Sequence, residues 1–108
     1  MILERKTKPQ KNNEGTKEYA EEFVEIVQKA AGDKKLLQSF LQDILSPVEY
    51  KELGVRWQII KQLSQGKSHR DVAKNLHTGV ATVTRGSRAL GDSKGGFRQI
   101  LRLSAKKK

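Results

Sequence analysis

An all-helical protein is what this sequence predicts, and three observations carry the expectation. Apolar residues recur at helical spacing through most of the chain. Gly, Asp and Ser-Pro punctuation falls where such helices would start and stop. No stretch alternates strictly enough to read as a strand; Val80, Val83 and the neighbouring threonines are β-branched, but the signals flanking them favour a helix.

Residues 1–15 are polar, basic and unpatterned, with Pro9 and Gly15, and read as a disordered basic arm. Residues 16–104 read as one helical domain, and 105–108 as a basic tail. The first helix spans Lys17 to Ala31, with Tyr19, Phe23, Val24 and Val27 on its apolar side, Glu18, Glu21, Glu22 and Glu25 opposite, and Gly32 as its stop. Asp33 is placed to cap a second helix, Lys34 to Leu45, whose stripe is Leu36, Leu37, Phe40, Leu41 and Ile44.

Ser46-Pro47-Val48-Glu49 is the best local start signal: an N-cap serine, a proline where its missing N–H is harmless, and a glutamate completing a capping box. The helix it opens runs to about Gln65. With Leu53, Val55, Trp57, Ile59, Ile60 and Leu63, it is apolar on more than one side and so is expected to be central. Gly54 inside it is unfavourable by about 1 kcal/mol relative to Ala, which points to close packing there. Gly66 ends this helix. Ser68 caps a short fourth one, to Leu76; a fifth runs from about Val80 to Leu90; residues 91–96 form a flexible link; and Phe97 to Ser104 make a sixth.

The chain has 108 residues and a net charge of +10, from 22 Lys+Arg against 12 Asp+Glu. Such an excess fits a polyanionic partner, with nucleic acid ahead of an anionic membrane surface; an inert basic surface is the plain alternative. The hydrophobic fraction, 35%, is low and favours a shared core or disordered ends. Without cysteine, disulfides, thiolate metal sites and cysteine nucleophiles are excluded. No apolar run approaches the ~20 residues of a membrane span, and the N-terminus lacks the apolar stretch of a secretion signal. The expectation is a soluble, cytoplasmic protein that does not engage a membrane; the acidic face of the first helix also argues against membrane binding.

Residues 68–90 carry the functional signal. Two short helices flank a tight turn, and the spacing obeys the rule of a helix-turn-helix. The fifth position must be small and is Ala73; the fourth, eighth, twelfth and fifteenth face the interior or lie next to it, and are Val72, Leu76, Val80 and Val83. The ninth often needs positive φ; it is His77, which tolerates that region better than most. The second helix of such a unit lies in the major groove. Its exposed side here carries Ala81, Thr82, Thr84, Arg85 and Arg88: small residues allow close approach, and threonines can meet thymine methyls or phosphates. Arg70 is placed to reach a guanine or a phosphate. A plain packing hairpin is the competing reading, and the charge weighs against it.

Leu53-Gly54-Val55-Arg56, followed by Gly79-Val80-Ala81-Thr82-Val83-Thr84-Arg85-Gly86-Ser87-Arg88-Ala89-Leu90, resembles the bacterial tryptophan repressor family, from about residue 18 to 104. The resemblance implies six helices in an intertwined homodimer. The fourth and fifth are mobile DNA-reading heads, and one L-tryptophan under each sets their spacing as corepressor on operators of tryptophan biosynthesis. It implies that Arg56 and Arg85 sandwich the indole, a role suited to planar cations, and that Arg85 also meets the carboxylate. Ser46 of the second subunit would stand near that carboxylate, and the helix end at Asp43 and Leu45 would face the ammonium. Ile60, Thr82, Gly86 and Ala89 would line the site. Ser68, Arg70, Val80, Ala81, Thr82, Thr84 and Arg88 would make the operator surface. No cofactor is implied beyond the tryptophan ligand.

Three departures stand out. The family often has serine where this chain has Ala89, a hydroxyl that holds the ammonium; Asp43 is the candidate substitute. The Gly66-Lys67-Ser68 loop is one residue shorter than in the family's best-known member, and Ala73 replaces an operator-facing lysine there. The rival reading keeps the heads but makes the regulator ligand-independent or gives it another effector. An enzyme is not expected: there is no nucleophile–base set, no metal-ligand spacing and no phosphate loop, and His69 and His77 are eight apart.

Overall fold

The computed structural model describes residues 12–106, and among these the regular structure is entirely helical. In chain order the helices are α1 (Asn12–Ala30), α2 (Lys34–Ile44), α3 (Pro47–Ser64), α4 (His69–Leu76), α5 (Val80–Leu90) and α6 (Gly96–Lys106). All six expected helices are present. The chain divides into two compact units, one holding α1 and α2 and ending at Ser46, the other beginning at Pro47 and holding α3 to α6.

In the first unit α1 and α2 form a hairpin. Asp33 caps α2 as expected, its Oδ1 accepting from the backbone N–H of Lys35 at 3.0 Å and of Leu36 at 3.4 Å. Phe23 and Phe40 meet across the hairpin, ring centroids 5.9 Å apart. The helix α1 begins at Asn12, ahead of the Lys17 expected from the apolar pattern, because a formed helix propagates at little further cost into polar residues. Residues 12–15 of the expected arm are therefore helical; residues 1–11 lie outside the described residues.

The second unit has the core. Ile59, Val72, Ala73 and Val83 are buried together where α3, α4 and α5 converge, with Val55, Leu63 and Leu76 packed against them. Burying each of the larger side chains contributes about 1.5–3 kcal/mol. At the end of α3, Gly66 adopts φ 90°, and the N–H of Lys67 reaches back to the carbonyl of Gln62 at 3.3 Å; a side chain is strained at that φ. Ser68 caps α4, its Oγ accepting from Asp71 N–H at 3.1 Å. His77 takes the left-handed conformation, φ 54° and ψ 47°, at the end of α4, as the turn rule requires.

Four expectations are corrected. Gly54 has no neighbour within 4 Å of where a Cβ would stand, so nothing in the described chain packs closely there; the close approach is at Gly86 instead. The helix α3 is central only in its second half: Ile59 and Ile60 are buried, whereas Val48 and Leu53 are exposed. Val80, expected to face the interior or lie next to it, is 51% exposed, because it opens α5 at the edge of the core. The link expected at 91–96 ends at Gly95, with Asp92 Oδ1 accepting from Lys94 N–H at 3.0 Å, and α6 runs from Gly96 to Lys106, taking in the start of the expected tail, whose residues 107–108 lie outside the described residues.

Candidate functional site

The helix α5 presents three faces, and the site follows from them. Val83 and Leu90 are buried. Thr82, Arg85, Gly86 and Ala89, recurring every three or four residues, line a cavity of about 790 Å³. Val80, Ala81 and Arg88 are exposed, and Thr84 on the same side is half-buried.

The facing wall is one stripe of α3: Val48, Lys51, Glu52, Val55, Arg56 and Ile59, followed by Ile60. Gly86 sets the approach of the two helices. A Cβ there would stand 3.0 Å from Ile59 Cγ2 and 3.3 Å from Ile60 Cδ1, so the absence of a side chain lets α5 settle on α3. Leu76 at the end of α4 and His77 and Thr78 of the α4–α5 turn complete the cavity with Phe97, from the first turn of α6. That helix is tied back to the end of α5: Arg98 Nε donates to the Leu90 carbonyl at 2.8 Å, and Gln99 Nε2 to that of Lys94 at 2.9 Å. Asn75 Nδ2 donates to Gln62 Oε1 at 3.2 Å, joining α4 to α3.

Three cations, Lys51, Arg56 and Arg85, stand on this lining against one carboxylate, Glu52. Glu52 Oε1 lies 3.9 Å from Arg56 Nη2. An open cleft with aliphatic walls, one aromatic edge and an excess of positive charge suits a small anionic molecule with an apolar body. The size is within the usual range for such sites, roughly 300–1,000 Å³.

Of the residues singled out from the sequence, Arg56, Ile60, Thr82, Arg85, Gly86 and Ala89 are brought together on this cavity. Asp43, Leu45 and Ser46 belong to the first unit, and the walls described here come from the second alone. Ser68 and Arg70 are exposed at the start of α4, with Ser68 also serving as its cap. The sequence reading missed Glu52, His77 and Phe97 as lining residues. For Glu52 a signal was available, since it precedes Arg56 by one helical turn. For Phe97 there was none, because its position depends on how α6 folds back.

Among the described residues no group of three metal-ligating side chains occurs, and no helix is long and apolar enough to cross a membrane. The model of the Trp repressor protein family matches residues 18–104. The Trp operon repressor homolog of Mannheimia succiniciproducens is 41% identical over 69 residues, which cover 63% of this chain and 67% of that protein. The homolog of Pasteurella multocida is 39% identical over 66 residues, 60% of this chain and 64% of its own length. That of Aliivibrio salmonicida is 37% identical over 81 residues, 70% and 75% respectively. With its cavity between two arginine-bearing helices and a family match over most of its length, the chain belongs to the Trp repressor family.

Proposed function

We propose that the chain is a sequence-specific transcriptional repressor that binds operator DNA as a homodimer when L-tryptophan occupies the cleft between α3 and α5. The targets in this reading are the operators of tryptophan biosynthesis. Family membership points to a regulator rather than an enzyme.

The observation that carries the reading is the placement of Arg56 and Arg85 on opposite walls of one cleft. A planar guanidinium stacks on an aromatic face and also binds a carboxylate, so two of them suit an indole amino acid. The ligand acts through α5. A molecule wedged between Arg56 and Arg85 sets the tilt of α5 on α3, and the opposite side of α5 carries Val80, Ala81, Thr84 and Arg88 toward the major groove, with Thr82 at its border. Ser68 and Arg70 at the start of α4 supply the flanking contacts. Ser46 and the end of α2 at Asp43 and Leu45 come from the second copy, where a helix C-terminus receives the ammonium.

The homodimer is supported by the first unit, whose helices leave Tyr19, Val24, Leu36 and Ile44 exposed and, among the described residues, bury only Ala30. Apolar surface on that scale needs cover. The coupling required is modest: about 1–3 kcal/mol between ligand and DNA changes affinity roughly 5- to 150-fold. Arg70 and Arg88, with Lys67 and Lys74, would add phosphate contacts and a steep salt dependence.

Selection of duplexes from a random pool, with and without L-tryptophan, tests this directly. Enrichment of one palindromic sequence only in its presence is expected, and its loss in Arg56→Ala. Equal enrichment without tryptophan would favour the second reading, a ligand-independent regulator or one with another effector. Ala89, which brings a methyl rather than a hydroxyl to the cavity, is the observation that keeps that reading in view. No enrichment under either condition would reject both.

A further inference from the structure

The positive charge of the second unit continues beyond the end of α5. Lys94, Arg98 and Arg102 follow one another at even spacing, one helical turn apart on α6, and all three are exposed. From Gly96 to Lys106 the helix carries no carboxylate. The two arginines lean back over the end of α5 instead of extending along α6: Arg98 Nε donates to the Leu90 carbonyl at 2.8 Å, and Arg102 Nη1 to that of Ser93 at 3.5 Å. Both acceptors are neutral and each uses one donor of a guanidinium that has several, so the charge and most donors remain for another partner. Asp92, the carboxylate of the link, accepts from the backbone N–H of Lys94. Arg88, from the exposed side of α5, borders the same link with Asp92, Gly95 and Gly96. The α5–α6 junction is thus a cationic patch that continues the side of α5 bearing Ala81 and Thr84. The helix α5 has 11 residues and is about 16 Å long, whereas the major groove is about 8.5 Å deep. With the first turns of α5 at base edges, its last turn stands at the rim of the groove, where the phosphates are. Cations just past that turn meet phosphates and not bases.

We infer that Lys94, Arg98 and Arg102 form a contact surface for the DNA backbone, which extends the DNA-binding face from α5 onto α6 and adds affinity that is independent of sequence. The inference rests on the DNA-binding reading above and not on the identity of the effector. Arg98, tied to the Leu90 carbonyl, keeps the patch in register with α5, so α6 and the reading helix approach the duplex together. Discrimination between sequences stays with α5, and the patch strengthens binding to any duplex alike.

Lys94→Gln combined with Arg102→Gln removes charge at exposed positions and leaves the bond from Arg98 to Leu90 in place, so folding is not at stake. The measurement is the salt dependence of binding, at saturating L-tryptophan, to the duplex enriched in the selection above and to a shuffled duplex of equal length. Each phosphate contact contributes about 0.9 to the slope of log affinity against log salt. For a homodimer that loses both cations from each subunit, the slope is expected to fall by about 3 to 4, with affinity reduced by the same factor on both duplexes. Lys94→Arg combined with Arg102→Lys keeps the charges and should bind as wild type does. An unchanged slope would overturn the inference. A loss confined to the selected duplex would also overturn it, since the cations would then act by orienting α5. A loss shared by the charge-keeping variant would do the same. So would dissociation of the charge-removed homodimer in sedimentation, because the patch would then pair with the exposed Glu18, Glu21, Glu22 and Glu25 of a second copy. Failure of the wild type to bind either duplex would instead reject the DNA-binding reading, and this inference with it.

Discussion

Gly86→Ala is the substitution on which the geometry of the cleft makes its sharpest demand. Alanine in place of glycine within a helix ordinarily stabilises by about 1 kcal/mol. At Gly86 the added methyl meets Ile59 Cγ2 at 3.0 Å and Ile60 Cδ1 at 3.3 Å. Both partners are buried side chains, each 1% exposed, with little room to give way. Overpacking of a filled core is unfavourable by about 1–3 kcal/mol. The net is a destabilisation of up to about 2 kcal/mol, set by subtracting the helix gain from the packing penalty. The methyl also pushes α5 from α3 and widens the gap between Arg56 and Arg85, so tryptophan affinity falls with stability. Gly54→Ala is the internal control: apart from its own helix backbone and chain neighbours, nothing in the described chain lies within 4 Å of a Cβ there, so the same change gains about 1 kcal/mol. Urea unfolding of the two variants reads both signs as shifts of the midpoint at constant slope. A Gly86→Ala protein more stable than wild type, with the full helix gain of about 1 kcal/mol, would refute the close approach. A loss at Gly54 would show that a second copy packs on that side of α3.

Other expectations follow from single positions. His77→Gly relieves a left-handed φ of 54° and should stabilise the protein by about 1 kcal/mol, read as a higher Tm; a lower Tm would mean that the imidazole holds the turn. Ser68→Ala removes the acceptor of the Asp71 N–H and should destabilise by about 1 kcal/mol in the same assay. Ala89→Ser restores a hydroxyl to the cavity and should tighten tryptophan binding by about 0.5–1.5 kcal/mol, measured by calorimetry. Asp43→Asn should weaken it if the second copy contributes that carboxylate, and unchanged affinity would remove Asp43 from the site.

What the sequence disclosed well was local. Asp33 and Ser68 are caps because their side chains satisfy N–H groups within three residues, and such chemistry is written in adjacent letters. Ala73, Val72 and Val83 were readable as the heart of the α4–α5 pair because the turn between them is short and fixes how they meet. What escaped depends on how helices distant in sequence cross. Gly54 and Gly86 both sit within helices of the second unit, and helix propensity alone pointed to Gly54 as the close-packed one; only the crossing of α3 and α5 shows that it is Gly86. Val80 fits an interior pattern, yet it stands on the first turn of α5 beyond the reach of the core. The ligand residues carried over by resemblance on α3 and α5 converge on one cavity, whereas Glu52 and Phe97 joined it only through packing.

Calorimetric titration of the purified protein with L-tryptophan, with L-phenylalanine as control, tests the central claim most directly. The account predicts saturable binding of about one tryptophan per chain, no binding of phenylalanine, and loss of the signal in Arg85→Ala. The absence of binding at millimolar tryptophan would contradict it and leave the cleft between α3 and α5 to a different effector or to none.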